Sequence, residues 1–210
     1  MKNEKSGKRT LLLSVLMSSP GPIVVGLGLM MGKSSTQLAD FVRRSAELAA
    51  IVVSYIVFCM SCGEKYRDES RRMRLETIAN GSVGAAMCLG GAAMIFIALF
   101  APAEEKGNVI PGLCIALMGL IANTLFWRKY TLLSREGGSS ILEAQSGLYR
   151  AKSLVDGCVT LALLSVLIMP GTGFSYYMDL IGSIIVAVYL IWTGIGTLRN
   201  LNNYKATEEP

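Results

Sequence analysis

The chain has 210 residues, 52% of them hydrophobic and only 17% charged, with 22 glycines, no histidine and a formal net charge of +5. That balance excludes an ordinary soluble domain and fits a polytopic helical membrane protein. A helix needs about 20 apolar residues to cross the hydrocarbon, so the length leaves room for six spans, short connections and no separate soluble domain.

Six apolar tracts follow in chain order: Leu11 to Met31, Leu38 to Cys62, Ile78 to Pro102, Val109 to Trp127, Ile141 to Met169 and Tyr177 to Leu198. They predict an all-α fold, a polytopic six-transmembrane-helix bundle forming a single domain over residues 1–210, without a C-terminal cytoplasmic domain. The first tract follows the basic stretch Lys2 to Arg9, as in a signal peptide. Its apolar run is too long for one and no small-residue cleavage site follows, so it is expected to be retained as a helix. Pro20 and Pro22 each remove a backbone donor and predict a kink there. Gly28 and Gly32 then permit close helix approach.

Lysine and arginine fall on alternate connections. Lys2, Lys5, Lys8 and Arg9 precede the first tract. The second connection holds Lys65, Arg67, Arg71, Arg72 and Arg74, the fourth holds Arg128, Lys129 and Arg135, and the tail holds Arg199 and Lys205. The opposite side has only Lys33 and Lys106, the latter beside Glu104 and Glu105. The positive-inside rule therefore places both termini in the cytoplasm, with the cell (plasma) membrane as the expected location. The basic balance reflects this topology, which points to anionic lipid headgroups as neighbours and excludes a nucleic-acid partner.

Cys59, Cys62, Cys88, Cys114 and Cys158 show no extracellular pairing pattern. Cys59 and Cys62 form one Cys-x-x-Cys, but a zinc site needs four ligands, and neither a second pair nor a histidine is present. Apolar helix packing is their expected role, and no cofactor is expected. The chain also lacks a Ser/His pairing, a phosphate-cradling glycine loop and an aspartate run, so it does not read as an enzyme and no catalytic residue is assigned.

What remains to explain is the charge inside the apolar tracts. Arg43 and Glu47 lie in the second, Lys152 and Asp156 in the fifth. A charge at mid-bilayer costs about 2.5–3.5 kcal/mol, so such groups face a bundle interior or watery cavity and serve function. Each base precedes an acid by four positions, on one helical face. Each span therefore either carries its own ion pair or offers two groups to a shared polar site. Tyr149 shares the face of Lys152 and Asp156 and is a candidate for the access path. Asp40, one turn before Arg43, is a second candidate, with capping or neutralisation of the adjacent Arg43 and Arg44 as the alternative. Arg150 points elsewhere, towards a neighbouring helix or partner.

These residues carry a resemblance. Gly32-Lys-Ser-Ser-Thr-Gln-Leu-Ala-Asp40-Phe-Val-Arg43-Arg-Ser-Ala-Glu47 resembles the second-helix signature of the cation diffusion facilitators. Arg74-Leu-Glu-Thr-Ile-Ala-Asn80 is similar to the entry of that family's third helix, Lys152-Ser-Leu-Val-Asp156 to its fifth, and Asp179-Leu-Ile-Gly-Ser-Ile-Ile-Val-Ala through Trp192-Thr-Gly to its sixth. The resemblance covers about the whole chain. It implies a six-helix transmembrane domain, a homodimer, and proton-coupled efflux of a divalent metal through a mid-membrane site at the positions of Arg43, Glu47, Lys152 and Asp156.

Here two of those four positions are cations. A metal ligand must present a lone pair, which a protonated guanidinium lacks and a charged ammonium denies, so no metal ligand is assigned. The transported species is expected to be a small cation, with an organic cation or zwitterion fitting the substituted site, and protons as the driving partner. Lys152 is the expected proton-linked group, because a desolvated lysine can lose its proton whereas arginine cannot. The alternative reading is a non-transporting structural or regulatory bundle, with salt bridges in place of the metal site.

Overall fold

The computed structural model describes residues 2–31, 35–61, 69–100, 110–168 and 173–206. Within them the chain folds into α1 (Lys2–Ser18), α2 (Pro20–Met31), α3 (Ser35–Ser61), α4 (Glu69–Phe100), α5 (Ile110–Gly137), α6 (Ser140–Ile168) and α7 (Gly173–Ala206). The helices outrun the apolar tracts at their charged ends. The basic Lys2–Arg9 stretch belongs to α1, and Arg71 and Arg74 lie in α4 rather than in a connection. Gly32, Cys62 and the side chain of Asp40 lie outside the described residues.

The first tract is two helices with Ser19 between them. Pro20 opens α2, the position where a missing N–H costs least. The Ser19 amide donates to the Val15 carbonyl at 3.0 Å, and its hydroxyl donates to the Leu16 carbonyl at 3.0 Å, an acceptor that Pro20 cannot serve. Built Cβ positions at Gly7, Gly21 and Gly26 lie against Phe58, Arg44 and Phe41 respectively. Both halves therefore run antiparallel along α3 as one broken span.

Tight pairings fix the other neighbours. In the α5–α6 hairpin Thr131 meets Ser146 at 2.7 Å and Thr124 meets Ser153 at 2.6 Å. Gly138, at φ +60°, makes the turn that a side chain would oppose. On α4, a Cβ at Gly91 would fall 2.8 Å from the Ala187 carbonyl oxygen of α7, and one at Gly194 of α7 would fall 2.8 Å from the Gly84 carbonyl oxygen. Glycine lets these two backbones touch.

Leu11, Ile51, Val83, Met87, Tyr130, Leu148 and Tyr149 are buried in the centre. Leu16, Leu99, Ile115, Ile168 and Trp192 lie on the outside, Trp192 at 80% exposure. So much apolar surface suits lipid rather than water. The segments Glu4–Leu27, Phe41–Ser61, Met73–Phe100 and Leu180–Asn200 are long and apolar enough to cross a membrane. α5 and α6 are not among them over their described side chains. α5 carries Arg128, Lys129 and Arg135, and α6 carries Arg150, Lys152 and Asp156.

Candidate transport site

The antiparallel register of α3 and α6 brings the two charged pairs to one level of the bundle. Arg43 Nη1 lies 3.2 Å from Glu47 Oε1, within α3. Lys152 Nζ reaches across from α6 to the other carboxylate oxygen, Oε2, at 3.4 Å. Glu47 is 4% exposed and so holds two cations in a nearly dry setting. The prediction that each span carries its own ion pair is met in α3 but not in α6, where Lys152 pairs with Glu47 rather than with Asp156. Arg43, Glu47 and Lys152 thus converge across two helices, while Asp156 turns to α5.

Asp156 finds a neutral partner on α5, accepting a hydrogen bond from Asn123 Nδ2 at 2.6 Å. Gly119, one turn earlier on α5, leaves the room it needs, since a Cβ there would fall 2.8 Å from Asp156 Oδ2. Gly90 of α4 packs beside Arg43 and Glu47 at ordinary van der Waals distance. Asn123→Ala is expected to strand the Asp156 carboxylate and cost about 1.5–3 kcal/mol, the range for hydrogen bonds to charged groups, read as a lower unfolding midpoint in detergent. A midpoint equal to that of the native chain would show that Asp156 has another partner of equal worth.

Tyr149 is 1% exposed and lies beside Lys152, whose Nζ is 5.1 Å from the ring centroid. Its hydroxyl lies 3.2 Å from Ser18 Oγ, which in turn accepts from Lys152 Nζ at 3.4 Å. The break after α1 thus touches the charged cluster. Ser14, one turn back, donates to the Leu11 carbonyl at 2.8 Å and so receives the Tyr130 hydroxyl at 2.7 Å. Arg150 points away, stacking over Trp127 and Tyr189 at 5.7 Å each.

A polar step lies further along α6. Gln145 Nε2 donates to Ser54 Oγ at 2.9 Å, while Gln145 Oε1 and Asn80 Oδ1 are buried without a protein partner. The nearby Ser140 hydroxyl donates to Glu76 at 2.7 Å, tying the start of α6 to α4. Among the described residues, no group of three or more Cys, Asp or Glu side chains converges to hold a metal ion.

A model of the cation efflux transmembrane domain matches residues 11–201. The chain belongs to the cation efflux family. No curated protein sequence matches it individually. This cation efflux protein is therefore an integral membrane cation transporter by family and not an enzyme. Its helices are those of the family's bundle, and the resemblance read from the four motifs is correct at this level.

Sequence reasoning on the cation efflux protein passed over Ser18, Asn123 and Gly119. Asn123 and Thr124 are the strongest polar residues in the tract from Val109 to Trp127, a signal as plain as the charges in the fifth. Ser18 shares a face with Thr10 and Ser14 at four-residue spacing, a stripe that was also legible.

Proposed function

We propose that this cation efflux protein is a proton-coupled secondary transporter that exports a small cation through the cluster of Arg43, Glu47, Lys152 and Asp156. In this reading α5 and α6 also span the bilayer, both termini are cytoplasmic, the membrane is the plasma membrane and two copies form a homodimer. The observation that carries the proposal is the Lys152–Glu47 pair at 3.4 Å, which joins two separate helices through charges inside an apolar bundle, where charged groups usually serve function.

The chemistry follows from charge. Arg43 and Lys152 balance Glu47 and Asp156, so the cluster is neutral while Lys152 is protonated. Arginine keeps its proton, so in this reading Lys152 is the basic group assigned to proton exchange. Once it does, the Glu47 Oε2 contact is open to an incoming cation. Reprotonation from the other side expels that cation. Asp156, held by Asn123 through a neutral bond, is the second substrate-facing carboxylate. Arg43 remains a fixed countercharge. The broken α1–α2 span supplies a wall that yields, because Pro20 and Pro22 remove two rungs of its helical ladder. In this reading Asp40 and Tyr149 belong to the access path, and Gln145, about 10 Å along α6 from Lys152 at 1.5 Å per residue, continues it with its unpaired amide oxygen.

The test is pH-gradient-driven flux in proteoliposomes, screening divalent metals beside amine-bearing compounds, with Lys152→Ala/Asp156→Ala as the comparison. Flux by the native chain and its loss in the double variant are expected. A native chain that moves none of these solutes would instead favour a locked bundle, the reading to which the double capping of Glu47 lends weight.

A further inference from the structure

The Lys152 ammonium occupies a cage of defined composition. Glu47 Oε2 lies 3.4 Å from Nζ, Ser18 Oγ lies 3.4 Å away, and the Tyr149 ring centroid lies 5.1 Å away. One carboxylate, one hydroxyl oxygen and one aromatic face form an acceptor set for an ammonium group. They do not suit a divalent metal, because the carboxylate is shared with Arg43 and the ring offers no lone pair. We infer that the exported cation is a small organic ammonium that takes the place of the Lys152 ammonium between Glu47, Ser18 and the face of Tyr149. The inference rests on reading the charged cluster as the transport site.

Two further features favour an ammonium here. The aromatic face is built in advance: Tyr149 packs at a tilt against Phe126 and Tyr130 at centroid distances of 5.1 and 5.4 Å, and its hydroxyl is tied to Ser18. Pro22 cannot give the Ser18 carbonyl its helical N–H, which leaves beside the hydroxyl a second oxygen without its usual donor. A primary ammonium brings three N–H groups to such a site and matches the charge of the group it displaces. A divalent ion in the same place would leave one uncompensated positive charge beside Arg43 in a low-dielectric interior.

Two measurements on the purified full chain test this. In detergent, Lys152→Ala empties the cage while Arg43 still holds Glu47. Ethylammonium is expected to raise the unfolding midpoint of that variant, and equal concentrations of Na⁺ or Zn²⁺ are not. In vesicles, the native chain is expected to drive counterflow of labelled ethanolamine at least about tenfold above protein-free vesicles, a factor equivalent to about 1.4 kcal/mol. Zn²⁺ or Na⁺ counterflow without ethanolamine counterflow would overturn the ammonium assignment and leave the transport reading intact. Counterflow of none of the three would overturn both. If Lys152→Ala does not fold, the native counterflow decides alone.

Discussion

Glu47→Ala is expected to lower the stability of the bundle by about 3–5 kcal/mol, the cost of removing one partner from a buried ion pair. Glu47 is 4% exposed and its two oxygens serve different cations, Arg43 on its own helix and Lys152 on α6. Truncation takes the carboxylate from both at once. Unfolding in detergent micelles, followed by circular dichroism, measures the loss. The companion experiment is a double-mutant cycle with Lys152→Met, which replaces the ammonium by an apolar group of similar length. Removing both partners is expected to recover part of the loss, with a coupling of about 0.5–3 kcal/mol. Additive effects would mean that the two side chains do not interact in the folded protein, and the site would lose its central contact.

Gly194→Leu is expected to separate α7 from α4, at a cost of about 1–3 kcal/mol for overpacking. A Cβ at this position falls 2.7 Å from Cys88 Sγ and 2.8 Å from the Gly84 carbonyl oxygen. The sulfur can rotate aside but the carbonyl belongs to a helix backbone, so only movement of the whole helix relieves the clash. Gly196, two residues on, is the internal control, since a Cβ there meets nothing within 4 Å. Gly196→Ala is expected to be neutral or to gain up to about 1 kcal/mol from helix propensity. Equal behaviour of the two substitutions would show that α4 and α7 do not make this contact. The contact also bears on the site, because Gly90, beside Gly91 on α4, packs against Arg43 and Glu47.

The sequence by itself determined the membrane class and the bundle. Tract length, exposed apolar faces and alternating basic connections depend on composition and order along the chain, and a lipid solvent leaves few other folds open to such segments. It also determined which residues place charge inside the apolar tracts, because Arg43, Glu47, Lys152 and Asp156 stand out against any apolar background. The break after α1 was legible for the same local reason, as proline removes its own donor wherever it sits.

Partnership was decided only by the tertiary structure. Four-residue spacing makes Lys152–Asp156 and Lys152–Glu47 equally available in principle, and the antiparallel register of α3 on α6 selected the second. Asp156 then turned to Asn123 of α5, a contact that needs Gly119 to be small and is invisible to any periodicity. Ser18 reached the cluster because α1 packs against α3 and α5. Local pattern records which face of a helix is polar, whereas the identity of the neighbour across that face follows from ridges, grooves and glycine contacts between helices far apart in the chain.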